Sequence, residues 1–245
     1  QREMKGVEAE WDIYSGKYKL YTSYTREMSG DDVGVWFDYD TDEGEAIEVK
    51  MGISYVSIEN ARLNMNTEQP GFDFDKVRTA ASTMWNKDLS KVQVEGGTKD
   101  EKTIFYTGMY HLLIHPNILQ DVNGEYPMME SLKVGHTTGN RYTVFSLWDT
   151  YRNVSTLMTL LYPERQLDII RTMLDMYREN GWLPKWELYG RETFTMEGDP
   201  SIPYIVDAWM RGLRDFDEQT AYEAMRKGAV LPGAENLLRP DNDDY

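Results

Sequence analysis

The hydrophobic period changes once along this chain, near residue 58, and that change limits the folds open to it. Before it, apolar and polar residues alternate. In "YKLYTSYT", Tyr18, Leu20, Thr22 and Tyr24 fall on one face, and Lys19, Tyr21, Ser23 and Thr25 on the other. "VGVWFDYDTD" and "AIEVKMGISYVS" repeat the habit, with Gly, Asp and Glu turns between them. Period two in short runs reads as antiparallel strands. Three or four strands leave open edges and need partners from elsewhere.

From about residue 58 the spacing becomes helical. "NMNTEQPGFDFDKVRTAASTMWNKDLSKV" carries Phe74, Val77, Ala81, Met84 and Leu89 near that period. "DEKTIFYTGMYHLLIHP" reads as a helix that ends at Pro116, and "SLWDTYRNVSTLMTLLYP" as one helix through Leu161. "PERQLDIIRTMLDMYRENG" opens with Pro163 in its first turn and closes at Asn180–Gly181. Asp199 is the expected cap of "DPSIPYIVDAWMRGL", and Asp217 that of "FDEQTAYEAMRKGA". Strands followed by six helices predict an α+β chain, mainly α, in segregated layers or separate domains.

Charge narrows the partners. The 245 residues carry a formal net charge of −16. Phosphate backbones and anionic membranes need a basic surface, so neither nucleic acid nor a membrane is an expected partner. No segment is apolar for long enough to cross a bilayer. Cysteine is absent, which removes thiolate catalysis and thiolate metal sites. The opening "QREMKGVEAE" is charged and carries no signal peptide, and "RPDNDDY" ends without a terminating element. Both ends read as cuts in something longer.

Several groups of residues could carry chemistry. In "FSLWDTYR", Ser146 and Asp149 have capping-box spacing. Asp149 and Arg152 are three apart and can pair on a helix surface for roughly 0.2–0.5 kcal/mol. The same residues also offer a sugar an aromatic face at Trp148, an acceptor and a fork of donors. "KWELYGRETFTMEGDP" places Glu187, Arg191, Glu192, Glu197 and Asp199 in a connector between helices. It is equally an exposed acidic loop or a source of paired carboxylates for acid and base work. "DVNGEY" has part of a calcium loop without its remaining ligands, so a turn at Asn123–Gly124 is the expectation. His111 and His115 stand four apart on one expected helix face, a spacing that can share a metal but more often does not. His136 is isolated.

The runs "GISYVSIENARLNMNTE", "FYTGMYHLLIHPNILQDVNGEY", "FSLWDTYRNVSTLMTLLYPER" and "GWLPKWELYGRETFTMEGDPSIPYIVDAWMRGLRDFD" follow one another in this order. Over about residues 48–230 the chain thereby resembles glycoside hydrolase family 92, the calcium-dependent exo-acting α-mannosidases of gut Bacteroidetes. The resemblance implies that residues 1–57 are the last strands of a β-sandwich. It implies linker helices at 58–100 and the first part of an (α/α)6 toroid at 101–245, in all about a third of a full member.

The implied chemistry is hydrolysis of an α-mannosidic bond with inversion, by one carboxylic acid and one carboxylate base. A calcium ion in the complete enzyme is implied to contact the mannose 2- and 3-hydroxyls. The segments that carry the acid, the base and most calcium ligands lie further along the family's chain. No "EGN…W", "HGNEP…H" or "GNDD.G.MS" motif occurs here, so no catalytic residue is named and no metal ligand is expected in this chain. Trp148, Asp149 and Arg152 match the family's "WDTYR", and Glu192 and Thr193 match its "ET". All five are thereby implied to bind substrate. Arg191 stands where many members have Asn, and Asp199–Pro200 replaces a more usual Tyr–His pair, so the linkage preference is open.

The implied partner is a mannose-containing glycan, met in the bacterial periplasm or outside the cell. Further segments of the same polypeptide, or a second copy, are expected to cover apolar helix faces. The other reading is a non-catalytic carbohydrate-binding or structural piece.

Overall fold

The structure, a computed structural model, describes the strands at 7–13, 16–21 and 36–37 and all of residues 39–230. It is mainly helical, with few and small strands. The chain divides between Glu48 and Val49 into two compact units.

In the first unit, β1 (Val7–Ile13) lies between β2 (Gly16–Tyr21) and β3 (Trp36–Phe37), antiparallel to both. The register sets Trp11 opposite Tyr18 and Val7 opposite Phe37. The expected alternation at Thr22–Thr25 lies outside the described residues.

Residues 46–57, "AIEVKMGISYVS", are not a strand, contrary to the period-two reading. Their polar groups go elsewhere. Lys50 Nζ donates to the Gln69 carbonyl at 2.9 Å, and the Ser54 hydroxyl to Asp121 at 2.7 Å. Alternation shows which groups could share a face; it cannot supply a ladder partner.

The second unit starts with three helices. α1 (Ile58–Glu68) is capped by the Ser57 hydroxyl and stops before Pro70. α2 (Phe74–Leu89) is capped by Asp73 and has no buried residue. α3 (Lys99–His111) has a complete capping box between Thr98 and Glu101. It ends at His111, and Leu112–Ile114 continue in turns. His115 is therefore not on the helix that carries His111, and the expected shared face does not exist.

Three two-stranded ribbons interrupt the part of the chain that reads as helical. β4 (Asn117–Ile118) pairs with β7 (Tyr142–Thr143), and β5 (Glu125–Pro127) with β6 (Val134–His136). β8 (Glu187–Leu188) pairs with β9 (Arg191–Glu192). Each is too short to show a period. The turn at Asn123–Gly124 forms as expected, with Gly124 at φ +86° and its N–H donating to the Asp121 carbonyl.

The expected single helix at 146–162 is two. α4 (Leu147–Thr150) and α5 (Val154–Leu161) are separated because Asn153 leaves the helical region, at φ −143°. α6 (Pro163–Asn180) has Pro163 in its first turn and Gly181 at φ +88° after its last, as the sequence predicts. α7 (Ser201–Met210) begins after Pro200, and the Asp199 side chain does not cap it. α8 (Glu218–Val230) is capped by Asp217, whose Oδ1 accepts the Thr220 N–H at 3.0 Å.

The core surrounds α6. Ile169, Ile170, Met173, Leu174 and Met176 are buried among residues of α4, α7 and α8. Gln166 links three helices: its amide donates to Ser155 on α5, and its carbonyl accepts the Tyr204 hydroxyl from α7. The guanidinium of Arg141 meets the Glu179 carboxylate in two bonds of 3.0 and 2.9 Å, almost wholly out of water. This frame holds the two segments that the sequence marks for function.

Candidate functional site

Glu187 joins those two segments. Its side chain is fully buried. The carboxylate accepts the Thr143 hydroxyl at 2.9 and 3.1 Å, the Val144 N–H at 3.1 Å and the Gly190 N–H. Its backbone carbonyl accepts the Phe145 N–H at 2.9 Å. The approach to Trp148 is thereby fastened to the β8–β9 turn. Burial pushes the Glu187 carboxyl up to about 7, against the opposing pull of these donors and of Arg141.

The backbone around this junction is strained. Among the described residues, five other than glycine have positive φ: Glu130, Val144, Tyr189, Phe194 and Met196. Three are in the 185–198 connector. Val144 donates to Glu187, and the Glu130 N–H donates to the Gly190 carbonyl at 2.8 Å. A β-branched residue at φ +66°, as Val144 is, has no easy local reason to be there. Such strain persists where surrounding contacts over-determine it, and it concentrates at binding sites.

The connector that carries Glu192 and Thr193 reaches Trp148 through Gly198. The Trp148 ring lies against Gly198, where an added Cβ would be 3.9 Å from it. Asp149 and Arg152 are exposed, but they form no ion pair with each other among the described residues. Asp149 instead accepts the Ser146 hydroxyl, and Ser146 makes no side-chain cap. The capping box expected there is not formed. The Arg152 guanidinium covers the Trp148 ring at 4.5 Å and the Tyr151 ring at 5.0 Å.

Glu192 and Thr193 brace the connector. The Glu192 carboxylate accepts three backbone N–H groups: Lys185 at 2.7 Å, Trp186 at 2.9 Å and Phe194 at 3.0 Å. The Thr193 hydroxyl donates to the Trp186 carbonyl at 2.9 Å. Arg191 and Glu197 are exposed. Asp199 lies near the end of the connector, where burial pushes it up to about 6 and the charge of Lys185 pulls the other way.

Sequence reading named Glu187 only as one acid of this loop. Neither its burial nor its grip on Thr143 and Val144 has a sequence signal, because both depend on contacts 43 and 44 residues away.

Residues 60–245 match the Glycosyl hydrolase family 92 catalytic domain. The chain belongs to glycosyl hydrolase family 92. Its fold resembles that of the GH92 alpha-mannosidase BT3965 from Bacteroides thetaiotaomicron, with a TM-score of 0.79 and 30% identity over 95% of this chain and 32% of that one. The same mannosidase in complex with mannoimidazole aligns with a TM-score of 0.78 and 30% identity, over 94% of this chain and 30% of that one. The GH92 inverting mannosidase BT2199 of the same organism gives a TM-score of 0.79 and 29% identity, over 92% and 30%. An uncharacterized secreted glycosidase of Arthroderma benhamiae is 28% identical over 191 residues, 76% of this chain and 20% of that protein. The GH92 chain thus spans a fifth to a third of these relatives.

For the calcium that the GH92 resemblance implies, the best acidic group here is a poor fit. Asp121 already accepts the amides of Asn60 at 2.8 Å and Asn64 at 2.6 Å and the Ser54 hydroxyl. Glu125 accepts the amides of Asn60 and Asn123. Hydrogen-bond donors surround these carboxylates where a cation needs converging oxygen atoms. No three acidic or histidine side chains converge among the described residues.

Proposed function

We propose that this GH92 chain is part of an exo-α-mannosidase that hydrolyses α-mannosidic bonds of glycans with inversion. Membership of the family over residues 60–245 carries the reading. The junction at Glu187 supports it, because it brings both implied subsite segments into one strained, fixed corner.

In this reading Trp148, Asp149 and Arg152 meet the non-reducing mannose. Asp149 Oδ1, which makes no hydrogen bond among the described residues, accepts from a sugar hydroxyl. Arg152 donates to neighbouring hydroxyls, or moves aside to open the Trp148 face. Glu192 and Thr193 hold the subsite wall in shape. Glu187 serves as a tether, since water does not reach it. Acid, base and most calcium ligands come from segments further along the family's chain.

We place residues 1–57 in a β-sandwich, 58–100 in linker helices and 101–245 in part of an (α/α)6 toroid. Further toroid helices would cover the apolar groove of about 330 Å³ between α7 and α8, lined by Trp209, Met210, Phe216, Tyr222 and Met225 among others. A secreted relative fits export, and the Bacteroides relatives fit the periplasm or medium of a bacterium as the destination.

The test is proton NMR of α-mannobiose hydrolysis by the full-length gene product. β-Mannose is expected first. α-Mannose first would refute inversion, and no mannose at all would leave a non-catalytic carbohydrate-binding or structural piece.

A further inference from the structure

Tyr55 and Tyr189 stack on one another, with ring centroids 4.7 Å apart and planes 23° apart. They come from distant parts of the second unit, yet both stay wet: Tyr55 is 49% exposed and Tyr189 44%. Aromatic rings paired only to fill a core lie out of water. These two present a double ring at the surface.

Both are held firmly. Ser54, next to Tyr55, is fixed by its bond to Asp121 and accepts the N–H groups of Val56 and Ser57. Tyr189 stands at φ +51°, in the left-handed region where glycine is at ease. Its N–H donates to the Thr143 hydroxyl at 2.8 Å, and a Cβ added to Gly190 would lie 3.3 Å from the Pro127 carbonyl and 3.4 Å from that of Met128. A tyrosine is kept in a costly conformation and points its ring outward.

The surroundings are polar. Exposed Arg191 follows Gly190. Glu130 is exposed, donates its N–H to the Gly190 carbonyl and accepts the Glu192 N–H at 2.6 Å. An exposed aromatic pair on the ribbon that carries exposed Arg191 and holds the Glu130 carboxylate suits the C–H face and the hydroxyl edge of a pyranose. Thr143 and Glu192 connect it to the corner that holds Trp148.

We infer that the Tyr55–Tyr189 pair is a second sugar subsite, which binds the leaving-group sugar of a manno-oligosaccharide. This rests on the proposed mannosidase reading.

The test compares two substrates in the full-length protein. α-Mannobiose carries a leaving sugar; α-mannosyl fluoride does not. Tyr189→Ala and Tyr55→Ala are each expected to lower kcat/KM for mannobiose about tenfold, the loss of roughly one aromatic contact, and to leave the fluoride rate unchanged. Tyr189→Phe, which keeps the ring, should restore most of the mannobiose rate. Equal losses on both substrates, or no loss on mannobiose, would overturn the inference. Should the wild type cleave neither substrate, the mannosidase reading fails by itself. Saturation-transfer NMR then decides the subsite: transfer to mannobiose that Tyr189→Ala abolishes supports it, and absence of transfer from the wild type removes it.

Discussion

Arg152 lies over the ring of Trp148, 4.5 Å from its centroid, and leaves Asp149 to the hydroxyl of Ser146. The spacing of Asp149 and Arg152 predicts a surface pair; the aromatic ring wins the guanidinium. A flat, weakly hydrated cation gains more over an indole than beside an exposed carboxylate. The carboxylate therefore keeps an exposed oxygen at the mouth of the corner.

That arrangement separates activity from stability at Asp149. An exposed side chain that caps no helix contributes within about 0.5 kcal/mol to folding. An acceptor for a sugar hydroxyl contributes about 2–3 kcal/mol to transition-state binding. Asp149→Ala in the full-length protein should therefore lower kcat/KM about 100-fold, with a melting temperature within about 2 °C of wild type. A variant equally active per folded molecule would return Asp149 to a purely local role.

Glu187 should couple stability to pH. Its folded value, about 7, lies above the ordinary 4.5, so the folded state binds the proton more tightly than the unfolded state does. The stabilisation is complete below about 4.5 and is lost as pH rises through about 7, by up to roughly 1.4 kcal/mol per pH unit. Asp199, raised to about 6, adds a slope in the same direction at lower pH. Urea unfolding between pH 6 and 7.5 isolates the Glu187 share, and Glu187→Gln should flatten it. At pH 5, where the folded-state carboxyl is protonated and carries its own O–H donor, that variant should lie within about 1 kcal/mol of wild type, since an amide N–H replaces an O–H among the same donors.

Which parts of this fold were legible follows from the range of the forces involved. Pro163, Gly181 and Asp217 mark helix ends because their chemistry acts on the backbone within one turn. The break at Asn153 is not written that way, since Val154 to Leu161 continues the apolar spacing across it. Residues 46–57 alternate like a strand but spend their polar groups on Gln69 and Asp121. In the candidate site, Trp148, Asp149 and Arg152 were found as neighbours in sequence. The sequence marks Glu187 only as one acid of a loop and gives Tyr189 no signal, because their roles come from Thr143 and Tyr55, which only folding brings to them.

The turn at Asn123–Gly124 offers a steric test. A Cβ on Gly124 would sit 2.3 Å from the Thr137 carbonyl oxygen and 3.1 Å from His136 Nε2, at φ +86°. Gly212, at φ +97°, has nothing within 4 Å. Gly212→Ala should cost about 1 kcal/mol from backbone strain alone. Gly124→Ala should cost about 2–4 kcal/mol, since the Thr137 backbone, whose N–H donates to the Gly124 carbonyl, must also move. Denaturant midpoints of the two variants give the comparison, and equal costs would show that the β5–β6 ribbon yields easily.

Removing one partner of the Arg141–Glu179 pair should be the most damaging of these changes. Arg141 is buried, with its ring-facing side 4.6 Å from the centroid of Tyr126. Glu179 also accepts the Tyr126 hydroxyl at 3.0 Å and the Met129 N–H at 2.7 Å. Burial, the largest influence on that phenol, pushes it up to about 12. Glu179→Ala leaves a guanidinium in the interior with no counter-charge and strands two further donors. The expected cost is about 3–5 kcal/mol, enough to unfold a marginal domain. Replacing both residues, as Arg141→Met with Glu179→Leu, removes the stranded charge as well as its partner, and should recover more than half of that loss. Calorimetric unfolding of the single and double variants checks this: a double variant no more stable than Glu179→Ala would mean that the pair itself, rather than the avoidance of a lone buried charge, holds β7 to α6.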